Sequence, residues 1–415
     1  MGVSAGIVVT GTEVLTGRVA DRNGPWLAEQ LRLLGVDVGQ IVVVGDRPDD
    51  LASALRFLAA HNDLVITSGG LGPTADDLTA EVVAQVQGRP PRLDPGLEQR
   101  ITAIVARFGG LRDPESTAIA IRKQALVPEG ASVLEPTGTA PGLVVPVAPG
   151  HTGPPVVVLP GPPSELQRMW PAVVATPVVR AVLAGAPELR QHTLRLWAVP
   201  ESELAATLRR SDGDLAGLEI TTCLRAGELE IVSRYAPEAD PAQQRLVAAV
   251  RADFPTQLFS EGPSVEELIA AAIWDRAWTL SVVEAVTGGA LAARLASARL
   301  VGAVVAHTDA VLIDPVGVPI EVVQTRGPAD PQIARTMAEG ARRIFGADVG
   351  IGVAGSVSLA DAAADRERPS SVYLCVLTPD GEFTRTQKVT GPLGAVRARV
   401  VPVVLHLLRE ALTGS

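Results

Sequence analysis

The chain has 415 residues and a formal net charge of −10 at pH 7, and 47% of its residues are hydrophobic and 20% charged. This length and composition predict two or three folded domains, each with its own hydrophobic core. The acidic balance, without any block of basic residues, argues against a nucleic-acid-binding surface. No apolar run approaches the roughly 18 residues that a membrane span requires, so none is expected.

The cysteine and lysine content narrows the possible chemistry. Cys223 and Cys375 lie far apart and belong to no CxxC motif, so they are predicted to be reduced core residues of a cytoplasmic protein. The N-terminus shows no basic leader before an apolar run, and no signal peptide is expected. Lys123 and Lys388 are the only lysines, so a lysine-dependent mechanism has two candidates.

Strands and helices are predicted to alternate through the first part of the chain. Strands are expected over Ala5–Thr10, Val36–Val44 and Asp63–Thr67, each followed by leucines and valines at helical spacing. This alternation is typical of a doubly wound parallel sheet, in which ligands bind beyond the carboxyl ends of the strands. Three loops are therefore expected to meet in one crevice: Gly11–Gly17, Gly45–Asp46 and Ser68–Asp77.

The loop after the third strand combines glycines with two adjacent carboxylates, Asp76 and Asp77. Glycines let the backbone approach a ligand, and a helix N-terminus offers free N–H groups, so the loop is predicted to hold phosphate. The aspartates are expected in the first turn of the next helix, where they would hold a divalent cation beside the phosphate. Alternatively they only cap that helix, which leaves the glycines unexplained.

Two later stretches of the first domain are also candidates. The segment from about 88 to 125 is predicted to be helical, and its Arg122 and Lys123 would either contact phosphate or belong to a solvated helix face. Leu159–Glu165 follows a predicted strand and precedes a helix. Gly161 and Pro162 are therefore expected to line the crevice, unless the prolines of this loop only stiffen a turn.

The remaining chain is predicted to form two more domains. Residues from about 192 to 259 show a small α+β pattern without a glycine loop, typical of a connector or assembly domain. After Gly262, a strand at Thr279–Val283 leads through Glu284–Gly289 into a helix, which resembles a second ligand pocket. The predicted domains are residues 1–170, 171–261 and 262–415.

These motifs identify the chain as a member of the CinA family of competence/damage-inducible proteins. The residues that carry the resemblance are Gly11–Gly17, Asp21–Asn23, Val44–Asp46, Ser68–Thr79, Gly138–Gly142 and Leu159–Glu165. The resemblance implies an α/β, MoaB/MogA-like molybdopterin-binding domain at the N-terminus and a domain similar to nicotinamide mononucleotide deamidases at the C-terminus. It also implies a pyrophosphatase that splits ADP-ribose or related NAD-type dinucleotides with a divalent cation (Mg, Mn or Co).

The resemblance and the loop chemistry together give a set of expected site residues. Pyrophosphate hydrolysis needs charge neutralised on the phosphates, a positioned water and a stabilised leaving group. Asp46 and Asp77 are expected to hold the metal, and Asp76 and Glu13 to assist them in catalysis. The expected phosphate- and substrate-binding residues are Thr12, Ser68, Gly69, Gly70, Leu71, Gly72, Thr74, Gly161 and Pro162. A nucleotide substrate and a homodimer or other homo-oligomer are expected, with neither nucleic acid nor membrane as a partner.

The C-terminal domain departs from the deamidase pattern of the family. Ala285 stands where the family has a serine, Leu312 stands where it has a reactive lysine, and Thr287 is retained. A later family loop, Thr-Gly-Ile-Ala-Gly-Pro, is replaced by 354–359. Amide hydrolysis needs an activated nucleophile or water and a proton donor. Deamidase activity is therefore predicted to be absent, and His307, at a former tyrosine position, is expected to be a neutral filler.

A second reading of the whole chain is a binding protein that carries a nucleotide or pterin without turnover, or an adaptor with two vestigial pockets. The acidic residues favour the enzyme, because a pure phosphate binder gains nothing from several uncompensated carboxylates.

Overall fold

The computed structural model describes residues 2–107, 113–225, 227–355 and 370–414. This part of the chain divides into two compact units, Met1–Arg190 and Gln191–Ser415. None of its helices combines the length and the apolar character needed to cross a membrane.

The first unit is built on a sheet with the strand order β2-β1-β3-β8-β7-β6. Its strands, with those of a separate two-stranded sheet β4-β5, are β1 (Ser4–Thr10), β2 (Asp37–Val44), β3 (Leu64–Ser68), β4 (Pro91–Leu93), β5 (Leu126–Pro128), β6 (Ser132–Leu134), β7 (Gly142–Val145) and β8 (Val156–Leu159). Strands β2, β1, β3 and β8 pair in parallel, and β7 and β6 continue the sheet antiparallel. Strands β3 and β8 are buried along their whole length, as expected for parallel strands covered on both faces.

Helices cover both faces of this sheet. They are α1 (Thr12–Leu15), α2 (Asn23–Leu33), α3 (Pro48–Ala59), α4 (Thr79–Val86), α5 (Pro95–Arg107), α6 (Pro114–Gln124), α7 (Pro163–Ala175) and α8 (Pro177–Leu183). One core packs α2 and α7 on the sheet through Leu27 and Leu166. A second core packs α3, α4 and α5 through Leu55, Val83 and Leu97. The predicted doubly wound α/β fold is thereby confirmed.

The second unit contains two sheets. The smaller, with the order β10-β11-β9-β12, consists of β9 (Arg190–Trp197), β10 (Leu218–Arg225), β11 (Glu228–Tyr235) and β12 (Leu258–Ser260). Its helices are α9 (Glu201–Arg210) and α10 (Asp240–Asp253), with 3₁₀ turns at Asp212–Asp214 and Pro237–Ala239. This is the α+β pattern predicted for the middle of the chain.

The larger sheet has the order β14-β13-β15-β16-β17, in which β14, β13 and β15 run parallel. Its strands are β13 (Leu280–Glu284), β14 (Leu300–Val305), β15 (Val349–Ala354), β16 (Ser370–Thr378) and β17 (Gly381–Val389). Its helices are α11 (Val265–Asp275), α12 (Ala290–Arg294), α13 (Asp309–Ile313), α14 (Ile320–Arg326), α15 (Pro331–Phe345) and α16 (Leu393–Thr413).

Several local predictions were wrong. The segment 88–125 holds β4, α5 and α6 rather than continuous helix, because the prolines that open these elements cannot lie in a helix interior. The loop Gly11–Gly17 contains the short helix α1. Helix α4 begins at Thr79, so Asp76 and Asp77 precede its first turn.

The predicted boundaries between the three domains are not tested by the division into two compact units. The boundary placed at residue 170 falls inside α7, and the first compact unit continues to Arg190. The second unit holds both remaining sheets, so a division at 261/262 and a role in homo-oligomer assembly remain predictions.

His406 of α16 is a buried contact with the smaller sheet of the second unit. Its ring stacks on Trp197 at 3.9 Å between centroids and meets the edge of Phe259 at 4.7 Å. Its Nε2 lies 3.0 Å from Glu228 Oε1. Burial lowers the pKa of His406, while Glu228 acts in the opposite direction. The folded state therefore favours the neutral ring.

We predict that acid destabilises the second unit through His406. The His406 side chain of the unfolded chain is protonated below the ordinary histidine pKa of 6.5, whereas the folded chain takes up this proton only at lower pH. The free energy of unfolding therefore falls as the pH decreases from 6.5 towards the depressed pKa of the folded state. The urea midpoint of the wild type should fall between about pH 7.5 and 5.5 more steeply than that of His406→Gln. Replacement of the exposed His61 by Gln should leave the wild-type slope unchanged. Equal slopes in the wild type and His406→Gln would contradict the assignment.

Candidate functional site

The carboxyl ends of the parallel strands in the first unit surround one cavity of about 310 Å³. It lies where the strand order reverses around β1, which is the position expected for a ligand site in a doubly wound sheet. The lining residues are Thr10, Gly11, Glu13, Asp46, Gly69, Gly70, Leu71, Gly72, Asp76, Asp77, Thr139, Ala140, Pro160, Gly161, Pro162 and Glu165. The structure thus brings all four proposed catalytic carboxylates together, with most of the proposed phosphate-binding residues.

Asp46 is held in place by two threonines. Its Oδ1 accepts a hydrogen bond from Thr10 Oγ1 at 3.2 Å, and its Oδ2 accepts from the Thr12 amide at 2.8 Å and from Thr12 Oγ1 at 2.9 Å. Thr12 is not among the residues that line the cavity. Its local role is to orient Asp46, and both of its donors are already engaged.

Asp76 and Asp77 are tied to Thr74 rather than to α4. The Thr74 amide donates to Asp77 Oδ2 at 2.9 Å, and the Thr74 hydroxyl lies within hydrogen-bond distance of both carboxylates. The hydrogen bond from this hydroxyl lowers the pKa of Asp76. The N-cap residue of α4 is Leu78, and no side-chain hydrogen bond caps this end of the helix. The two aspartates therefore do not cap α4. The Thr74 hydroxyl is engaged by them and is not a free phosphate ligand.

Ser68 also serves the local structure. It is 1% exposed, and its hydroxyl oxygen accepts a hydrogen bond from Asn23 Nδ2 at 2.8 Å. The same Asn23 amide donates to the carbonyl oxygen of Gly161 at 2.7 Å. Asn23 therefore joins the loops after β3 and β8. Its place in the Asp21–Asn23 motif was the signal that could have identified it as a site-positioning residue.

The glycine turn after β3 requires its glycines for its own geometry. Gly69 has φ +108° and Gly70 has φ +64°, and a Cβ would strike the Thr10 carbonyl at the first position and the Thr79 hydroxyl at the second. The Gly69 amide donates to the Leu159 carbonyl at 3.0 Å, so it is not free for phosphate. The amides of Gly70, Leu71 and Gly72 have no acceptor within the described parts of the chain. Three successive free N–H groups are what an anion cradle needs.

Glu165 is a site residue that the sequence analysis did not single out. It lies in the first turn of α7 and lines the cavity, and its carboxylate packs against the backbone of Gly138. Burial raises the pKa of Glu165, with Arg168 acting in the opposite direction. Its position at the end of the Leu159–Glu165 motif was the available signal.

The donor set fits a cation that is shared with phosphate. Five carboxylates line the cavity, and carboxylate oxygens are ligands that Mg²⁺ and similar cations prefer. Within the described ranges, however, no three His, Cys, Asp or Glu side chains are close enough to hold a metal by themselves. Mg²⁺ commonly uses one or two carboxylates together with substrate phosphates and water, and this arrangement is compatible with Asp46 and Asp77.

The two positions at which the second unit departs from the deamidase pattern are surrounded by apolar side chains. Ala285 is 5% exposed and Leu312 3% exposed, and both belong to one hydrophobic cluster with Ala306. The Thr287 hydroxyl is buried and has no hydrogen-bond partner in the described chain. His307 is exposed to solvent. The later loop lies outside the described residues from Ser356 to Leu359.

We predict that Gly161→Val blocks the cavity without unfolding the protein. A Cβ at Gly161 meets only the Gly69 Cα, at 3.7 Å, and its φ is not in the left-handed region. By calorimetry, affinity for ADP-ribose, the ligand that the resemblance implies, should fall about tenfold or more, while the melting temperature should change by less than about 3 °C. Gly213→Val, at an exposed glycine with open space around it, is the matched control. Unchanged affinity in a folded Gly161→Val protein would place the site elsewhere.

Two known protein families match the chain, one in its N-terminal part and one in its C-terminal part. A family described as a probable molybdopterin binding domain matches residues 6–181, and one described as the CinA C-terminal domain matches residues 263–412. Among solved structures, the protein CinA of unknown function from Thermoplasma acidophilum is 33% identical. That match covers 41% of this chain and 96% of the other, with a TM-score of 0.36.

Full-length relatives are closely similar. A CinA-like protein from Mycobacterium sp. (strain MCS) is 48% identical over 99% of both chains. A CinA-like protein from Mycolicibacterium gilvum (strain PYR-GCK) is 47% identical over 100% of both chains. One from Mycobacterium tuberculosis (strain ATCC 25177 / H37Ra) is 43% identical over 99% of this chain and 97% of its own. The chain therefore belongs to the CinA family.

Proposed function

We propose that the first unit is a nucleotide pyrophosphatase that splits ADP-ribose or a related NAD-type dinucleotide with the help of a divalent cation. One strand-end cavity brings together five carboxylates and three amides that have no acceptor among the described residues, and this observation carries the proposal. The amides of Gly70, Leu71 and Gly72 supply fixed positive dipoles for phosphate oxygens. The carboxylates supply the groups that a water nucleophile and a cation require.

The carboxylates have different environments, which supports a division of roles. Hydrogen bonding from Thr74 lowers the pKa of Asp76, whereas burial raises the pKa of Glu165. Opposite shifts within one site are typical of acid–base pairs. Glu165 is the group suited to hold a proton for the departing phosphate, and Asp76 is suited to remain ionised.

Asp46 and Asp77 would hold the divalent cation, which when bound would neutralise charge on the phosphate oxygens. The threonines that hold these aspartates fix the direction of each carboxylate. Thr10 and Thr12 do so for Asp46, and Thr74 does so for Asp77. Fixed carboxylates lose less freedom when the ligand binds.

A second candidate function is binding of a nucleotide or pterin without turnover. It is favoured by the same hydrogen bonds, because carboxylates already satisfied by threonine donors can act as structural supports of the glycine turn. The two functions differ in one property: only the enzyme converts its ligand into two phosphate products.

We predict that Asp77→Asn lowers kcat/KM for ADP-ribose by about 100-fold or more, because it removes a ligand charge at nearly constant volume. The asparagine oxygen can still accept the Thr74 amide, so the fold should persist, as circular dichroism and thermal melting would show. Asp63→Asn is a matched control, since Asp63 Oδ2 also accepts from an amide and a hydroxyl, those of Ser4, but does not line the cavity. Near wild-type rates for Asp77→Asn at saturating metal would remove Asp77 from the mechanism.

For the second unit we propose that nicotinamide mononucleotide deamidation has been lost. Alanine and leucine side chains can neither activate a nucleophile nor transfer a proton. Ala285 and Leu312, which occupy the positions of the family's serine and lysine, belong to an apolar cluster in this protein.

We predict that the purified full chain releases no ammonia from nicotinamide mononucleotide above a protein-free background. His307→Ala is the control for a rebuilt site, because the His307 imidazole lies in an altered motif and is a side chain that can act as a base. Ammonia release by the wild type that disappears in His307→Ala would contradict the loss of activity.

A further inference from the structure

A second cavity, of about 230 Å³, lies beside the glycine turn of the first unit. It shares four lining residues with the acidic cavity, namely Gly70, Leu71, Gly72 and Asp77. The two cavities therefore border the same turn and the same carboxylate. A ligand whose phosphate lies on the free amides of this turn can therefore extend into either cavity.

The chemistry of the second cavity differs from that of the first. Its wall contains Leu71, Leu126 and Leu143 together with three prolines. Leu126 is a large apolar side chain that remains 40% exposed. It lies on β5, where it pairs with Leu93 of β4, so the backbone fixes its position at the rim. Apolar surface left open beside a polar cradle is typical of a binding site for a ring or an alkyl group.

Two polar side chains join this wall to the glycine turn. Gln124 Nε2 donates to the Leu71 carbonyl at 2.9 Å, and Lys123 Nζ donates to the Thr74 carbonyl. In the described parts of the chain the Gln124 side-chain oxygen has no donor. It is therefore available to accept a hydrogen bond from an amino group at the edge of a ligand ring.

We infer that this apolar cavity is the ring subsite of the ligand site, and that it takes the flat, amino-bearing heteroaromatic ring of the molecule whose phosphate lies on Gly70–Gly72. The inference rests on the proposed phosphate site but not on hydrolysis. The volume is below the roughly 300 Å³ of a pocket for a whole drug-sized ligand, so it suits one ring system and not the entire dinucleotide. The ligand class is a ring-bearing phosphate, in preference to inorganic pyrophosphate or a sugar phosphate.

The test is a calorimetric comparison of AMP with ribose 5-phosphate, which carries the same phosphate and sugar without the ring. Wild-type protein should bind AMP at least about tenfold more tightly. Leu126→Asp places a charge on the apolar wall at an exposed position and should abolish most of that difference by weakening AMP alone. Leu126→Thr, which suits a strand better, should weaken AMP to a smaller extent. Ile119→Asp, at a side chain of α6 that is 65% exposed and outside both cavities, should change neither affinity.

The outcomes separate the ring subsite from the pyrophosphatase. AMP discrimination that Leu126→Asp removes supports the subsite even if the protein never hydrolyses ADP-ribose. Equal wild-type affinities for the two probes, or no measurable binding of either, would overturn the subsite. It would also fall if folded Leu126→Asp and Leu126→Thr both bind AMP as the wild type does, even with an active pyrophosphatase. If the two folded variants lose affinity for AMP and for ribose 5-phosphate to the same extent, Leu126 supports the glycine turn instead. That result also overturns the ring subsite.

Discussion

The left-handed turn at Gly69 and Gly70 is the constraint on which the ligand site of the first unit depends. It joins a fully buried strand to the loop that carries the aspartates, and each of its glycines lies against another element, Gly69 against Thr10 and Gly70 against Thr79. The Gly70 carbonyl accepts the Thr79 amide at 3.1 Å and so fixes the start of α4. The amides of Gly70, Leu71 and Gly72 are left without intramolecular acceptors in the described structure. The same steric requirement therefore stabilises the fold and positions the amides that we propose as the anion cradle.

Two of the carboxylates around this turn, Asp46 and Asp77, are held by hydrogen bonds from threonines. Thr10 and Thr12 bind Asp46, and Thr74 binds Asp77. Neutral donors fix the position of a carboxylate without cancelling its charge, so the cavity keeps a negative potential that a metal–phosphate pair would complement. In the second unit the altered positions pack as an apolar cluster around Ala285 and Leu312. Replacement of a polar pair by apolar groups of suitable shape is nearly neutral for stability, which explains how the scaffold persists without the family's reactive groups.

The parts of this architecture that depend on local sequence were predictable. Helix α3 begins at Pro48 and α15 spans Pro331–Phe345, because proline suits the first turn of a helix. Gly346 adopts the left-handed conformation that ends α15. The convergence of the strand-end loops followed from the βαβ pattern alone. The roles of Thr12 and Thr74 did not, because a hydroxyl that faces a carboxylate and one that faces a ligand have the same sequence signature. The cavity beside Leu126 was not predicted either. Its wall depends on the pairing of two three-residue strands, β4 and β5, and β4 lies inside a segment predicted to be helical.

We propose that this cavity breaks a pyrophosphate bond and does not merely hold its ligand. The most direct measurement incubates the purified full chain with ADP-ribose and Mg²⁺ or Mn²⁺, with and without excess chelator, and quantifies AMP and ribose 5-phosphate by mass spectrometry. The account predicts that the two products form in equal amounts and that the chelator abolishes both. Saturable binding of ADP-ribose, with the ADP-ribose recovered intact under every metal condition, would contradict it and would identify the first unit as a nucleotide-binding domain.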